Sequence, residues 1–146
     1  MHTHADAAEF LVTRKQAHYL LVVKANQPTL LDRCQAIPWR DVPVADRTRD
    51  RGHGRIELRT LKVVSVHAHE LGFPHAAQVN QVTRKTRQLG TSRWRAVTVY
   101  AITSLPFELA RPARLADLLR GHWAIEALHH ARDPHRPLAT LGISLG

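Results

Sequence analysis

The spacing of apolar positions changes several times along the chain, and each change marks an element. Ala7, Ala8, Leu11 and Val12 recur at helical intervals, which predicts a helix from Ala5 to Lys15. His18-Tyr-Leu-Leu-Val-Val-Lys24 is then a continuous apolar run, the pattern of a strand buried on both faces. Ala-Asn-Gln-Pro28 interrupts it, and Pro28 suits the first turn of a helix over about Thr29 to Ala36. Ile37 to Asp50 is rich in Pro, Asp and Arg and reads as a loop. From Gly54 to Val66 the apolar positions Ile56, Leu58, Leu61 and Val63 predict a strand, with a bulge near Thr60 where the alternation slips. A turn at Phe73-Pro74 separates it from strands predicted over Ala77 to Lys85 and Arg93 to Thr103. Ala113 to Arg132 reads as a long amphipathic helix opened by Pro112, and Pro134 to Gly146 as a ragged end with no obvious partner. Helix, buried strand, helix and further strands together predict an α/β fold with a central sheet.

At 146 residues the chain is about one domain, large enough for a core. No stretch approaches the roughly 20 apolar residues of a membrane-spanning helix, so no membrane partner is expected. Met1-His-Thr-His-Ala-Asp6 does not have the form of a signal peptide, and the single Cys34 excludes both an internal disulfide and a cysteine zinc cluster within one chain. The expected location is the cytoplasm. A formal net charge of +9 changes the picture more. Arginine supplies most of it, concentrated in Arg47 to Arg59, Arg84 to Arg95 and Arg111 to Arg120. Its planar fork of donors fits phosphate oxygens, so nucleic acid is a candidate partner beside plain solvated basic faces.

Several constellations could carry chemistry. His122, Glu126 and His130 are spaced to share one face of the last helix, beside the apolar Leu115, Leu119, Trp123 and Ile125. A carboxylate there needs a cation, a metal or hydrogen bonds to offset its desolvation. Two histidines with a carboxylate would suit a transition metal in a small hydrolase, although the spacing is not the zinc-protease one. Gly52-His53-Gly54-Arg55 could let a phosphate approach the backbone with Arg51, Arg55 and Arg59 around it, or could be a simple hairpin turn. Lys24, with Asn26 and Gln27, ends the buried strand, where open α/β sheets often place functional groups. Cys34 reads as a packing residue, and His2, His4 and Asp6 as solvated groups that could chelate a metal.

Taken in order, His2-Thr-His4, Ala8-Glu-Phe-Leu11, Tyr19-Leu-Leu-Val-Val-Lys-Ala-Asn-Gln-Pro-Thr-Leu30, Arg51-Gly-His-Gly-Arg-Ile-Glu57, Arg59-Thr-Leu-Lys62, Phe73-Pro-His-Ala-Ala77, Tyr100-Ala-Ile-Thr-Ser104 and Arg120-Gly-His-Trp-Ala-Ile-Glu126 form a series. The series resembles the DDE transposases of bacterial insertion sequences, in the IS-four-like, H-repeat-associated branch, over about residues 2 to 133. The resemblance implies a ribonuclease H-like fold with a β-rich insertion at about residues 50 to 104. It also implies DNA cleavage and strand transfer at the ends of an insertion sequence. In such enzymes two Asp and one Glu hold two Mg²⁺ or Mn²⁺ ions that activate the attacking hydroxyl and stabilise the leaving oxygen. Glu126 matches the family's catalytic, metal-binding Glu. The implied DNA contacts are Lys24, Arg51, Arg55, Arg59, Arg120 and His122, with double-stranded DNA as partner.

The sequence departs from the family in two places. The second catalytic Asp of the family would precede Met1, and the first lies further upstream still. Past Asp133 the family's acidic continuation is replaced by Pro134-His-Arg-Pro-Leu-Ala-Thr-Leu141, which resembles a later part of the family's tail. The expectation is therefore a C-terminal part of a transposase catalytic domain over 1–133 with a degenerate tail over 134–146. It would lack the N-terminal strands of the fold, expose an unpaired sheet edge, and hold no metal stably. Such a fragment is expected to be inactive in cleavage. It would act as a non-catalytic DNA-binding remnant, or as a dimerising one that modulates a full-length transposase.

Overall fold

His18–Val23 forms the strand that its apolar run predicts (β1), and all of its residues are buried. In the computed structural model, which describes residues 4–124 and 138–141, β1 follows helix α1 (His4–Thr13) and precedes helix α2 (Pro28–Gln35). Pro28 stands in the first turn of α2, where its missing N–H costs nothing. Strands β2 (Asp46–Gly52), β3 (Arg55–Ser65), β4 (Gln78–Gln88) and β5 (Arg95–Thr103) follow, with a short helix α3 (Ala68–Leu71) between β3 and β4. Helix α4 (Pro112–Ala124) and strand β6 (Leu138–Leu141) complete the order.

The fold is α/β, with one mixed sheet in the order β2-β3-β4-β5-β1-β6. The first five strands are antiparallel to their neighbours, and β6 runs parallel to β1. Both faces of the sheet are covered. Tyr19, Leu21, Val79, Tyr100 and Ile102 pack one face against α1, α2, α3 and the Trp39–Asp41 turn. Leu20, Leu61, Val82 and Ala101 pack the other against Leu105, Ala110 and the Leu115 and Leu119 stripe of α4. Burying each such Leu contributes about 1.5–3 kcal/mol.

Three expectations are corrected. The loop expected over Ile37 to Asp50 contains a 3-10 turn at Trp39–Asp41 and the start of β2. Trp39 is buried there and donates from Nε1 to the Cys34 carbonyl at 2.8 Å, while Lys62 Nζ donates to the Trp39 carbonyl at 2.7 Å. β2 has the sequence Asp-Arg-Thr-Arg-Asp-Arg-Gly, with no apolar residue to show its period. It is an edge strand among the described residues, and charges on an edge oppose pairing with other chains. The bulge expected near Thr60 is absent: β3 pairs with β4 without interruption from Arg55↔Gln88 to Ser65↔Gln78. Leu58 and Leu61 have opposite parity because both faces of the sheet are covered, so the change of side needs no extra residue. Finally, Leu138–Leu141 of the expected ragged end pairs with β1 from His18↔Leu138 to Leu21↔Leu141. β1 is therefore flanked on both sides instead of forming an exposed edge.

Candidate nucleic-acid interface

The β2–β3 and β4–β5 hairpins end side by side, because Arg55, the first residue of β3, pairs with Gln88, the last of β4. The first hairpin closes through His53 and Gly54, both at positive φ (52° and 74°), the two-residue turn that suits the right-handed twist of strands. The glycines of Gly52-His53-Gly54-Arg55 thus serve a hairpin turn. The Leu89 N–H donates to the Gly54 carbonyl at 2.9 Å and ties the two tips together. In the second tip the Thr91 N–H and Oγ1 both donate to the Gln88 carbonyl, at 3.1 and 2.8 Å.

Between these tips lies a groove of about 400 Å³, lined by Arg55, Thr86, Arg87, Gln88, Thr91, Arg93 and Arg95. Four of its lining residues are arginines and none is acidic. Arg87 is anchored by donating from Nη1 to the Thr91 carbonyl at 2.6 Å, and its guanidinium lies 5.2 Å from the centroid of the Trp94 ring. Guanidinium groups gathered without a counter-charge repel one another and lower their energy when an anion enters.

Further in on the sheet, Glu57 takes both its oxygens into ion pairs, with Arg59 at 2.9 Å and with Arg84 at 2.8 Å. Its side chain is only 12% exposed. Arg59 and Arg120 meet at a small cavity of about 20 Å³ that Asp46, Thr48 and Leu119 also line, and Arg120 lies 3.5 Å from Asp117. Of the expected DNA contacts, Arg51 and Arg55 therefore stand at the hairpin tips, while Arg59 and Arg120 stand where α4 crosses the sheet. Lys24 is exposed just beyond β1, with β4 and β5 between it and Arg55. The structure thus divides the expected set into separate groups. His122 falls within the backbone of α4, and Glu126, His129, His130 and Asp133 lie outside the described residues.

Arg87, Arg93 and Arg95 were not singled out from the sequence. The signal was present as Arg84-Lys-Thr-Arg87 and Arg93-Trp-Arg95 on either side of a Gly turn. Their convergence with Arg55 depends on the β3–β4 register, which no local pattern shows.

The described residues do not fit a two-metal site. Glu57 is neutralised by two guanidinium groups, Glu9 is paired with His75, and no group of three or more His, Cys, Asp or Glu converges among them. Cys34 is fully buried, and burial pushes its thiol up to about 11, which suits a packing residue and not a nucleophile. Among the described residues no helix is long and apolar enough to cross a membrane. No family model, curated protein or solved structure matches the chain.

Proposed function

We propose that this chain descends from a DDE transposase of the insertion-sequence type and acts as a non-cleaving DNA-binding remnant. The ordered series of motifs from His2 to Glu126 supports the descent, and so does an α/β fold with a mixed sheet covered on both faces, the layer arrangement of a ribonuclease H-like domain. The observation that carries the binding half is the groove at the hairpin tips, where Arg55, Arg87, Arg93 and Arg95 converge with no acid among them. Phosphodiester oxygens match these donors in charge and in geometry. Binding of this kind reads the backbone and not the bases, so it tolerates sequence changes and weakens steeply with salt.

The test is fluorescence anisotropy with labelled DNA at several salt concentrations, run beside a nicking assay on supercoiled plasmid with Mg²⁺. The expected result is salt-steep binding, similar for unrelated sequences, with no nicks. Cleavage abolished by Glu126→Gln would overturn the non-cleaving half. Absence of DNA binding at low salt would overturn the other.

A further inference from the structure

The rim of the arginine groove carries an aromatic that contact with a phosphate backbone alone does not need. Trp94 lies between Arg93 and Arg95 in the chain and is 41% exposed. An exposed aromatic ring beside cationic groups offers a face on which a planar group can stack. The anchored Arg87 holds one side of the ring, 5.2 Å from its centroid. Val97, two residues past Arg95 on β5, is 60% exposed. β1 reaches only to Tyr100, so this outer half of β5 has no strand on its second side among the described residues.

A duplex cannot use this arrangement fully. Its bases stack on one another and offer only their edges in the grooves, leaving no ring face for Trp94. An unpaired strand offers both its phosphates and its ring faces. A cationic track with an aromatic platform beside it is the combination that holds single strands without reading sequence. The groove, at about 400 Å³, has the volume of a small-ligand pocket, in the range where one nucleotide unit fits. Its walls are already ordered by the bonds at Gln88, Thr91 and Gly54, so little has to be rearranged on binding.

We infer that the hairpin-tip groove prefers single-stranded nucleic acid to duplex, with phosphates on Arg55, Arg93 and Arg95 and a base stacked at Trp94. This rests on the proposed nucleic-acid binding and narrows its substrate class.

The experiment compares three probes on the full chain at one salt concentration: an oligothymidylate, a mixed-sequence duplex of equal length, and inorganic polyphosphate as a competitor without bases. The expected result is single-strand binding about tenfold tighter than duplex binding, from one stacked base. Trp94→Leu should remove that tenfold, whereas Trp94→Phe should keep the preference. Duplex binding as tight as single-strand binding would overturn the inference and leave the DNA-binding reading standing. Polyphosphate competing as well per phosphate as the oligonucleotide would also overturn it. Failure of both nucleic acids to bind would remove both readings together.

Discussion

Glu57 forms an ion pair with Arg84 Nε at 2.8 Å across the β3–β4 ladder, and this pairing separates structural arginines from available ones. Glu57 sits mostly buried with Arg59 on its other oxygen, so Arg59 and Arg84 serve to neutralise a carboxylate that the sheet has desolvated. The arginines further out, around the groove at the hairpin tips, have no such acid among the groove's lining residues. Glu57→Gln should therefore destabilise the protein by about 1–3 kcal/mol, because two guanidinium groups would lose their shared counter-charge. Urea unfolding measures this as a lower midpoint at unchanged slope. A midpoint equal to that of the wild type would show that the pairing contributes nothing to the fold.

Cys34 gives the fold a pH dependence on the alkaline side. Burial raises its thiol from 9.0 to about 11, so the unfolded chain releases this proton first. Stability contributed by the protonated thiol is fully present below about pH 9 and is lost as pH rises through about 11, at up to about 1.4 kcal/mol per pH unit. Cys34→Ala should remove this slope between pH 9 and 11 while lowering stability at neutral pH through the cavity it leaves. Chemical unfolding across that range, wild type against variant, checks the sign.

Asn80 is a polar residue in an apolar place. It is fully buried and lies across from Val63 and Ala101 in the ladder. Neither its amide nitrogen nor its amide oxygen has a hydrogen-bond partner among the described residues. Such a group costs about 1–3 kcal/mol. Asn80→Leu, which keeps the number and branching of side-chain heavy atoms, should raise the unfolding free energy by about 1–2 kcal/mol. A loss of stability of that size would instead show that the amide does have a partner.

Gly72 ends α3 at φ 79°, and a Cβ there would come within 1.9 Å of Arg33 Nη1, which donates to the Leu71 carbonyl at 3.1 Å. Gly72→Ala should cost about 1–3 kcal/mol, part from the left-handed backbone and part from displacing Arg33. In a double-mutant cycle with Arg33→Ala the two losses should be less than additive, because both remove the same hydrogen bond. Additive losses would place the whole cost in the backbone.

What could be read from the sequence depended on whether an element announces itself locally. β1 is visible because a strand buried on both faces must be apolar throughout, and α2 because Pro28 and its flanking turn mark its start. β2 is invisible because an edge strand made of Asp, Arg and Thr carries no apolar period, although its burial alternates at Asp46, Arg47 and Thr48. β6 is invisible for another reason: its partner β1 lies at the far end of the chain, and a short parallel pairing has no turn to signal it. The site divides in the same way. Arg55 was marked by its neighbouring glycines, but its meeting with Arg87, Arg93 and Arg95 is set by a register between strands. Glu126, the residue on which catalysis by resemblance depends, lies outside the described residues.

The most direct test of nucleic-acid binding at the hairpin tips is the slope of log Kobs against log salt for wild type and for the Arg93→Ala/Arg95→Ala double variant. Removing one arginine that neutralises a phosphate should flatten the slope by about 0.7–0.9, so the double variant should be flatter by roughly 1.4–1.8 and bind more weakly at every salt concentration. An unchanged slope and affinity in a variant that unfolds at the wild-type midpoint would contradict the assignment of this groove to nucleic acid.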